Sequence, residues 1–408
     1  MKILFFASYP TCGNGYGRIG NIISNYLASV GHQVYYLGIS NFKESPVERY
    51  IHPSIQLIDA LEKRKSESNE LYGVDIICEM IQEATPDLVF IYNDIIVVNR
   101  ILNEFINTKL EKTFKMVTYL DVVYNYEKLY LFKNINAWSD LIFVFSEHWK
   151  KHLTEIGISE KKLFILPHGV DKTIFKQINK DSAKQKFGFK SDDFIVLNTN
   201  RNCYRKATDI TIDAFVKFIK KQKYNDNIKL FLNLLNTSTS GYNILDMIQI
   251  SCLKNKADYE QIIFKHIFTR NSLEYLSDEK LNELYNACDI GINTCIGEGF
   301  GLCNLEHASI GNPQIISNVG AFKDIFHEEY SIPIEPKVEL YVPNSTEEHG
   351  GFLQICDSGD FSDAMDMYFK DTNLRKLHGD VGTSILSEKY NWEIILNGLN
   401  KTLLQLYI

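Results

Sequence analysis

At 408 residues, with 45% hydrophobic and 23% charged residues, the chain is too long for one ordinary core and too apolar for wholesale disorder. A net charge of −8 speaks against a general nucleic-acid binder and leaves room only for a local basic patch. Two domains are expected.

Lys2 to Ser8 is a β-rich run, Pro10 to Gly17 a glycine-studded loop, and Arg18 to Ser29 a helical pattern that Gly31 would cap, with His32 to Ile39 a second strand. The short apolar run of MKILFFASYP reads as a strand instead of a signal peptide. No stretch holds the roughly 18 apolar residues of a membrane span, so a cytoplasmic protein is expected. Gly15-Tyr16-Gly17-Arg18-Ile19-Gly20 fits the dinucleotide pattern Gly-x-Gly-x-x-Gly. An NAD enzyme needs an acidic residue near the end of the second strand, and Leu37-Gly38-Ile39-Ser40-Asn41 offers none. The glycines still allow a large ligand to approach the backbone.

Asn41 to Asn69, with the charge run Glu62-Lys63-Arg64-Lys65, reads as a solvated loop or helix face. Strands at Leu88 to Tyr92, Met116 to Leu120 and Leu141 to Phe145 alternate with helix-like stretches, the pattern of a parallel sheet wrapped by helices. Tyr124 to Trp138 reads as an amphipathic helix with its rings packed inward, or else as an acceptor-contacting or membrane-surface segment. Lys176 to Ser191 reads as the connection to a second domain.

A second series follows: strand Phe194 to Thr199, helix Thr208 to Lys221, strand Ile228 to Leu234, helix Tyr242 to Leu253, strand Ile262 to Phe268, helix Asp278 to Ala287, and strands Ile290 to Asn293 and Gln314 to Ser317. Ser362 to Gly379 and Trp392 to Tyr407 read as helices. The eight cysteines show no Cys-x-x-Cys and no zinc-type cluster with histidine, so buried thiols are expected.

Two places in the second series point to chemistry. Asn200 to Lys206, NRNCYRK, sets fixed positive charge at the carboxyl end of a strand, where ligands of parallel sheets bind. Arginine and lysine there suit a diphosphate, although a surface loop with solvated cations is the plain alternative. Gly297 to Pro313, GEGFGLCNLEHASIGNP, sets a Gly-Phe-Gly turn before a helical run, with Glu298 ahead of the turn and Glu306 inside the run. The spacing of the two glutamates recurs at Glu62/Glu70 and Glu147/Glu155 and carries nothing alone. The helix start between them does, because glycine and free backbone N–H groups there favour a phosphate or sugar.

These pieces together resemble glycosyltransferase family 4, retaining enzymes of GT-B architecture with two Rossmann-like α/β domains and the active site in the cleft between them. The resemblance runs from Met1 to about Trp392. It rests on GEGFGLCNLEHASIGNPQIISNVGA, the early glycine loop with its helix and GHQV, the HGVD at His168 to Asp171 with Phe175, and Arg201 spaced from Lys206. It implies an N-terminal acceptor-side domain over 1–175, on which the helix 392–408 packs back, and a nucleotide-sugar donor domain over 176–391.

By the resemblance, Arg201 and Lys206 hold the donor diphosphate, Glu306 the ribose and Glu298 the sugar hydroxyls. Phe300, Gly301 and Leu302 lend backbone donors, and Gly13, Gly15 and Gly17 close over the donor. The family works without a metal ion, and no cofactor beyond the donor is implied. The donor is GDP-mannose by preference and UDP-glucose next, and the acceptor a glycan or other hydroxyl compound. Phe268 to Leu273 offers no side chain that would discriminate bases. A peripheral membrane contact and a homodimer stay compatible with the sequence.

The pattern departs from the family in places. Asn200 and Ala207 stand where glycines usually flank the phosphate-binding pair, and Asp324 replaces a later glutamate. TYLDVVY lacks a histidine that many members carry; Asp121 takes that role or caps a following helix. Within GT-B proteins a phosphorylase or epimerase is an alternative, and outside enzymes a nucleotide-sugar-binding protein without activity.

Overall fold

The computed structural model describes every residue except 42–46, 65–69, 71, 237, 239–240, 271–275, 343–347 and 408. The chain divides into two compact units: Met1–His168 with Val342–Phe352 and Trp392–Ile408, and Gly169–Tyr341 with Leu353–Asn391.

The first unit is built on a parallel sheet of seven strands: β1 (Lys2–Ser8), β2 (Gln33–Ile39), β3 (Gln56–Asp59), β4 (Leu88–Asp94), β5 (Lys115–Asp121), β6 (Leu141–Val144) and β7 (Leu163–Ile165). Their order is β3-β2-β1-β4-β5-β6-β7. β1 and β4 are apolar on both faces because helices cover both sides of the sheet centre. The helix Gly15–Ser29 turns Ile19, Ile23 and Leu27 inward on one stripe, and Gly31, at φ +90, ends it. The tail helix Trp392–Gln405 belongs to this unit, where Tyr26 Oη donates to Asn397 Oδ1 at 2.8 Å and Tyr407 Oη to the Asp87 carbonyl at 2.7 Å.

The second unit carries a six-stranded parallel sheet: β8 (Phe194–Asn198), β9 (Ile228–Leu232), β10 (Ile267–Thr269), β11 (Ile290–Asn293), β12 (Gln314–Ser317) and β13 (Ser331–Ile334), ordered β10-β9-β8-β11-β12-β13. Both sheets reverse strand order beside their first strand, the point at which doubly wound sheets bind ligands. The strands β14 (Val338–Tyr341) and β15 (Phe352–Ile355) form a separate two-stranded ribbon.

Several expectations are corrected. The helix starts at Gly15, three residues before Arg18, because Asn14 Oδ1 accepts from the Gly17 N–H at 2.8 Å and caps it there. The polar segment after β2 contains β3 and a short helix, Ala60–Lys63; its residues 42–46 and 65–69, including Lys65 of the charge run, lie outside the described residues. Of the expected strand Ile262 to Phe268, the first five residues, Ile262–His266, are a turn of π-helix, and only Ile267 and Phe268 lie in β10. Lys176 to Ser191 lies inside the second unit and contains the helix Lys180–Lys186. Val342–Phe352, expected in the second domain, joins the first unit: the Lys128 N–H donates to the His349 carbonyl at 2.8 Å, and the Phe352 N–H to Asn125 at 2.9 Å. All eight cysteines are thiols, five of them buried and Cys12, Cys78 and Cys303 partly exposed.

One polar knot holds three helices of the second unit together. Asp213, on the helix Thr208–Lys221, accepts from Ser251 Oγ at 3.0 Å and Asn255 Nδ2 at 2.7 Å on Ile244–Asn255, and from Ser358 Oγ at 2.6 Å on Ser358–Lys370; Lys217 Nζ pairs with it at 3.0 Å. Burial alone would raise the Asp213 carboxyl, but the bonds from Ser358, Lys217 and Asn255 outweigh it and hold the group well below the usual carboxylate range. A carboxyl depressed in the folded state contributes stability that is present above the unfolded pKa, about 3.9, and lost as pH falls through the folded value. Asp213→Asn is therefore expected to cost about 2 to 3 kcal/mol at pH 7. In urea titrations the gap to the wild type should narrow below about pH 4; a gap independent of pH would show that the charge is not what stabilises.

Candidate active site

β8 and β11 are neighbours at the centre of the second sheet, and the loops that leave their carboxyl ends meet. After β8 the chain makes a 3-10 turn, Tyr204–Lys206, into the helix Thr208–Lys221. Ala207 joins the two with φ +42 and ψ +51, a left-handed conformation that costs an alanine about 1 kcal/mol and that glycine adopts without penalty. The resemblance to the family would put glycine at this position, and the left-handed backbone here is one that glycine suits.

After β11 the chain runs through Thr294 to Gly301 into the helix Leu302–Ser309. Gly301 sits at φ +84, and a Cβ built on it would lie 2.0 Å from Cε1 of Phe322. Only glycine fits there, on both counts. The ring of Phe300 meets Tyr390 edge to face at 5.9 Å. Leu302 opens the helix, and a helix start of this kind favours an anion.

The two loops are tied by charge. Glu298, only 4% exposed, is bonded by Lys206 Nζ and lies 3.5 Å from Arg205 Nη1, which also donates to the Gly297 carbonyl at 2.8 Å. Burial by itself would raise the Glu298 carboxyl, but Lys206 and then Arg205 lower it, so the group is ionised. Glu306, one turn into the helix and 2% exposed, accepts from Tyr285 Oη at 3.2 Å.

Beneath Glu298 lies a layer of buried amides. Asn293 Nδ2 donates to Asn304 Oδ1 at 2.8 Å, and Asn304 Nδ2 to Gln314 Oε1 at 2.8 Å. Gln314 Nε2 lies 3.2 Å from His307 Nδ1. Gly291 admits the Gln314 amide, since a Cβ there would stand 2.0 Å from Oε1. Burial pushes the His307 imidazole down to about 3, so it is neutral at physiological pH.

Of the residues singled out in the second unit, the structure joins Lys206, Glu298, Phe300, Gly301, Leu302 and Glu306 on two adjoining loops and one helix. Arg201 is exposed on the same loop as Lys206, and it is Arg205 that reaches Glu298. Sequence reading passed over Arg205, Asn293, Asn304 and Gln314; an asparagine closing an apolar strand, as Asn293 does, was the available signal. Of the base-contact stretch Phe268 to Leu273, residues 271–273 lie outside the described residues.

In the first unit the glycines divide. Gly17 is buried, and a Cβ there would meet the Tyr9 carbonyl at 2.7 Å; Gly15 is exposed with open space around it, and Gly13 is half-buried before the Asn14 cap. Asp121 closes β5 and accepts from Tyr16 Oη at 2.6 Å. It caps no helix: the next one, Leu129–Trp138, starts eight residues later with Lys128 at its N-cap. Between them, buried Glu127 accepts from the N–H groups of Val123 at 2.8 Å and Tyr124 at 3.0 Å and shapes the loop. Leu131, Phe132 and Ile135 of that helix are buried, while Tyr126, Leu129 and Tyr130 are exposed.

Two parallel, doubly wound sheets in two units, with a cationic loop and a glycine-opened helix at the carboxyl edge of the second, define the GT-B class. Sucrose-phosphate synthase from Thermosynechococcus elongatus has this fold over 100% of the present chain and 99% of its own, with a TM-score of 0.75 at 15% identity. Anabaena HepE, in a complex with UDP and glucose, matches with a TM-score of 0.72 at 15% identity over 99% and 100% of the two chains.

Residues 249–351, which include Glu298 and Glu306, match the family model described as Glycosyl transferases group 1. Mannosylfructose-phosphate synthase of Agrobacterium fabrum is 22% identical over 188 residues, and an uncharacterized glycosyltransferase of Methanocaldococcus jannaschii 24% over 184, or 45% and 44% of the present chain. The match spans only 39% and 42% of those relatives' own length. The fold is of the GT-B class, and residues 249–351 carry the segment of group 1 glycosyl transferases. No helix among the described residues is long and apolar enough to cross a membrane.

Proposed function

We propose that the protein is a retaining, metal-independent glycosyltransferase that moves a hexose from a nucleoside diphosphate sugar to an acceptor hydroxyl. The observation that carries this is the ion-paired cluster of Lys206, Arg205 and Glu298 beside the helix Leu302–Ser309, of which Glu298 and the helix fall in the stretch that matches the group 1 model. Lysine has three N–H donors, so Lys206 can hold Glu298 and a phosphate oxygen together. Arg205, with Arg201 nearby on the loop, adds guanidinium donors for the second phosphate. Ionised Glu298 accepts from sugar hydroxyls, and Glu306 from the ribose. As the bond to the diphosphate breaks, charge grows where these donors and the helix start converge. A phosphate oxygen of the leaving group takes the proton of the incoming hydroxyl on the same face, which preserves the configuration at the anomeric carbon. Asp121 belongs to the acceptor side, and the enzyme works in the cytoplasm with no cofactor beyond its donor.

The donor is GDP-mannose by the sequence reading. UDP-glucose is the second reading, favoured by the HepE complexes with UDP, glucose and UDP-glucose. Titration calorimetry with GDP-mannose, UDP-glucose and UDP-N-acetylglucosamine separates them; binding of one at micromolar strength is expected. If none of the three bound, the proposal would be wrong.

A further inference from the structure

The helix start in the first unit does more than bring glycines near a ligand. Tyr16, in its first turn, sends its hydroxyl to Asp121 Oδ2 at 2.6 Å, between residues 105 apart in sequence. A phenol bonded to a carboxylate at this distance is a charge-assisted bond. Strand register sets a second carboxylate beside the first, since Asp94 at the end of β4 pairs directly with Asp121 at the end of β5. Asp94 is otherwise engaged, accepting from the Val97 N–H at 2.9 Å as the cap of the helix Ile95–Asn107. The ring of Tyr16 lies 5.1 Å from that of Tyr92, which stacks on Tyr119 at 4.7 Å, so the phenol is braced on one side by aromatic rings.

Two carboxylates at neighbouring strand ends repel, and the usual result is that one of them takes up a proton. A hydroxyl donated to one of the pair opposes this. The Tyr16 phenol itself is held well above its ordinary range, by burial first and by Asp121 and Asp94 next, so it keeps its proton and can only donate to the carboxylate. Burial raises the Asp94 carboxyl, His349 lowers it and Glu127 raises it, while Tyr92 and Tyr119, both raised by burial, are neutral.

We propose that Tyr16 is a positioning residue that fixes the Asp121 carboxylate and keeps it ionised beside Asp94, so that Asp121 can accept a hydrogen bond from the acceptor hydroxyl in the first unit. The purpose assigned to Asp121 rests on the glycosyltransferase reading; the Tyr16–Asp121 coupling does not. An ionised carboxylate at this edge suits an acceptor that presents hydroxyl groups and disfavours one that presents a phosphate there.

The test is a carbon-13 carboxyl titration of the full chain labelled at aspartate, with Asp121→Asn identifying the resonance. In Tyr16→Phe, which keeps the ring against Tyr92, the Asp121 midpoint is expected to rise by about one pH unit or more. An unchanged midpoint overturns the proposal. Should Tyr16→Phe not fold, the reciprocal measurement decides: in Asp121→Asn the Tyr16 phenol should titrate at lower pH than in the wild type, and no movement again overturns it. Where the wild type transfers sugar to a simple alcohol such as methyl mannoside, the acid limb of kcat should move with the carboxyl midpoint in Tyr16→Phe. A shifted carboxyl with an unshifted limb would remove Asp121 from the reaction. A wild type that binds no nucleotide sugar would end the glycosyltransferase reading and leave the titration standing.

Discussion

Lys206→Ala should lower sugar transfer by about a thousandfold, because a fixed cation at a developing diphosphate charge is worth roughly two to three powers of ten and Lys206 has a second task besides. That task is Glu298. With its lysine gone, a carboxylate 6% exposed at the side chain keeps only the longer contact from Arg205, at 3.5 Å. Breaking one side of a buried pair costs about 3 to 5 kcal/mol, and the remaining arginine brings the expected loss to about 2 to 3 kcal/mol. The two effects separate experimentally. Lys206→Arg restores a cation, so it should recover most of the stability in urea titration and little of the rate, since a rigid planar fork cannot bridge Glu298 and a phosphate oxygen as a compact ammonium does. Nucleoside diphosphate binding, measured by calorimetry, should weaken with Lys206→Ala. Unchanged turnover would mean that the phosphate site lies elsewhere.

The second large effect concerns shape instead of charge. Gly301→Ala puts a methyl group 2.0 Å from a ring carbon of Phe322, which is fully buried, at a backbone φ of +84. The left-handed backbone costs alanine about 1 kcal/mol, and displacing a packed ring adds about 1 to 3 kcal/mol. A total loss of about 2 to 4 kcal/mol is therefore expected, read as a lowered urea midpoint. Pairing the change with Phe322→Leu should recover part of the clash and none of the backbone cost. Equal midpoints for the two variants would mean that the ring is not the obstacle. Activity should fall further than stability, because the first turn of the helix Leu302–Ser309 moves with Gly301.

Much of this was legible from residues alone where local chemistry decides the outcome. The apolar strand β11, the glycine turn and the helix after it announce themselves through period and composition, and so does the helix Thr208–Lys221. What stayed hidden was set by contacts distant in sequence. Arg201 and Arg205 stand on one loop and differ only in how the 3-10 turn Tyr204–Lys206 aims them, which no spacing rule records. The glycine run before Arg18 read as loop because Gly15 and Gly17 are poor helix formers, yet the Asn14 cap outweighs their propensity. Ile262–His266 has a strand's composition and forms a turn of π-helix ahead of β10. The amides under Glu298 come from β11, β12 and the helix Leu302–Ser309, and only the fold makes them one layer.

That layer has an electrical consequence. Asn293, Asn304 and Gln314 neither gain nor lose protons in water, and the imidazole at the far end of their chain charges only near pH 3. Glu298 is already ionised across the physiological range, held so by Lys206 and Arg205. The potential that this floor projects into the candidate site is therefore constant over most of the acidity range in which proteins survive. It acts as a fixed voltage reference, and any bend in the rate against pH must be sought in groups other than these.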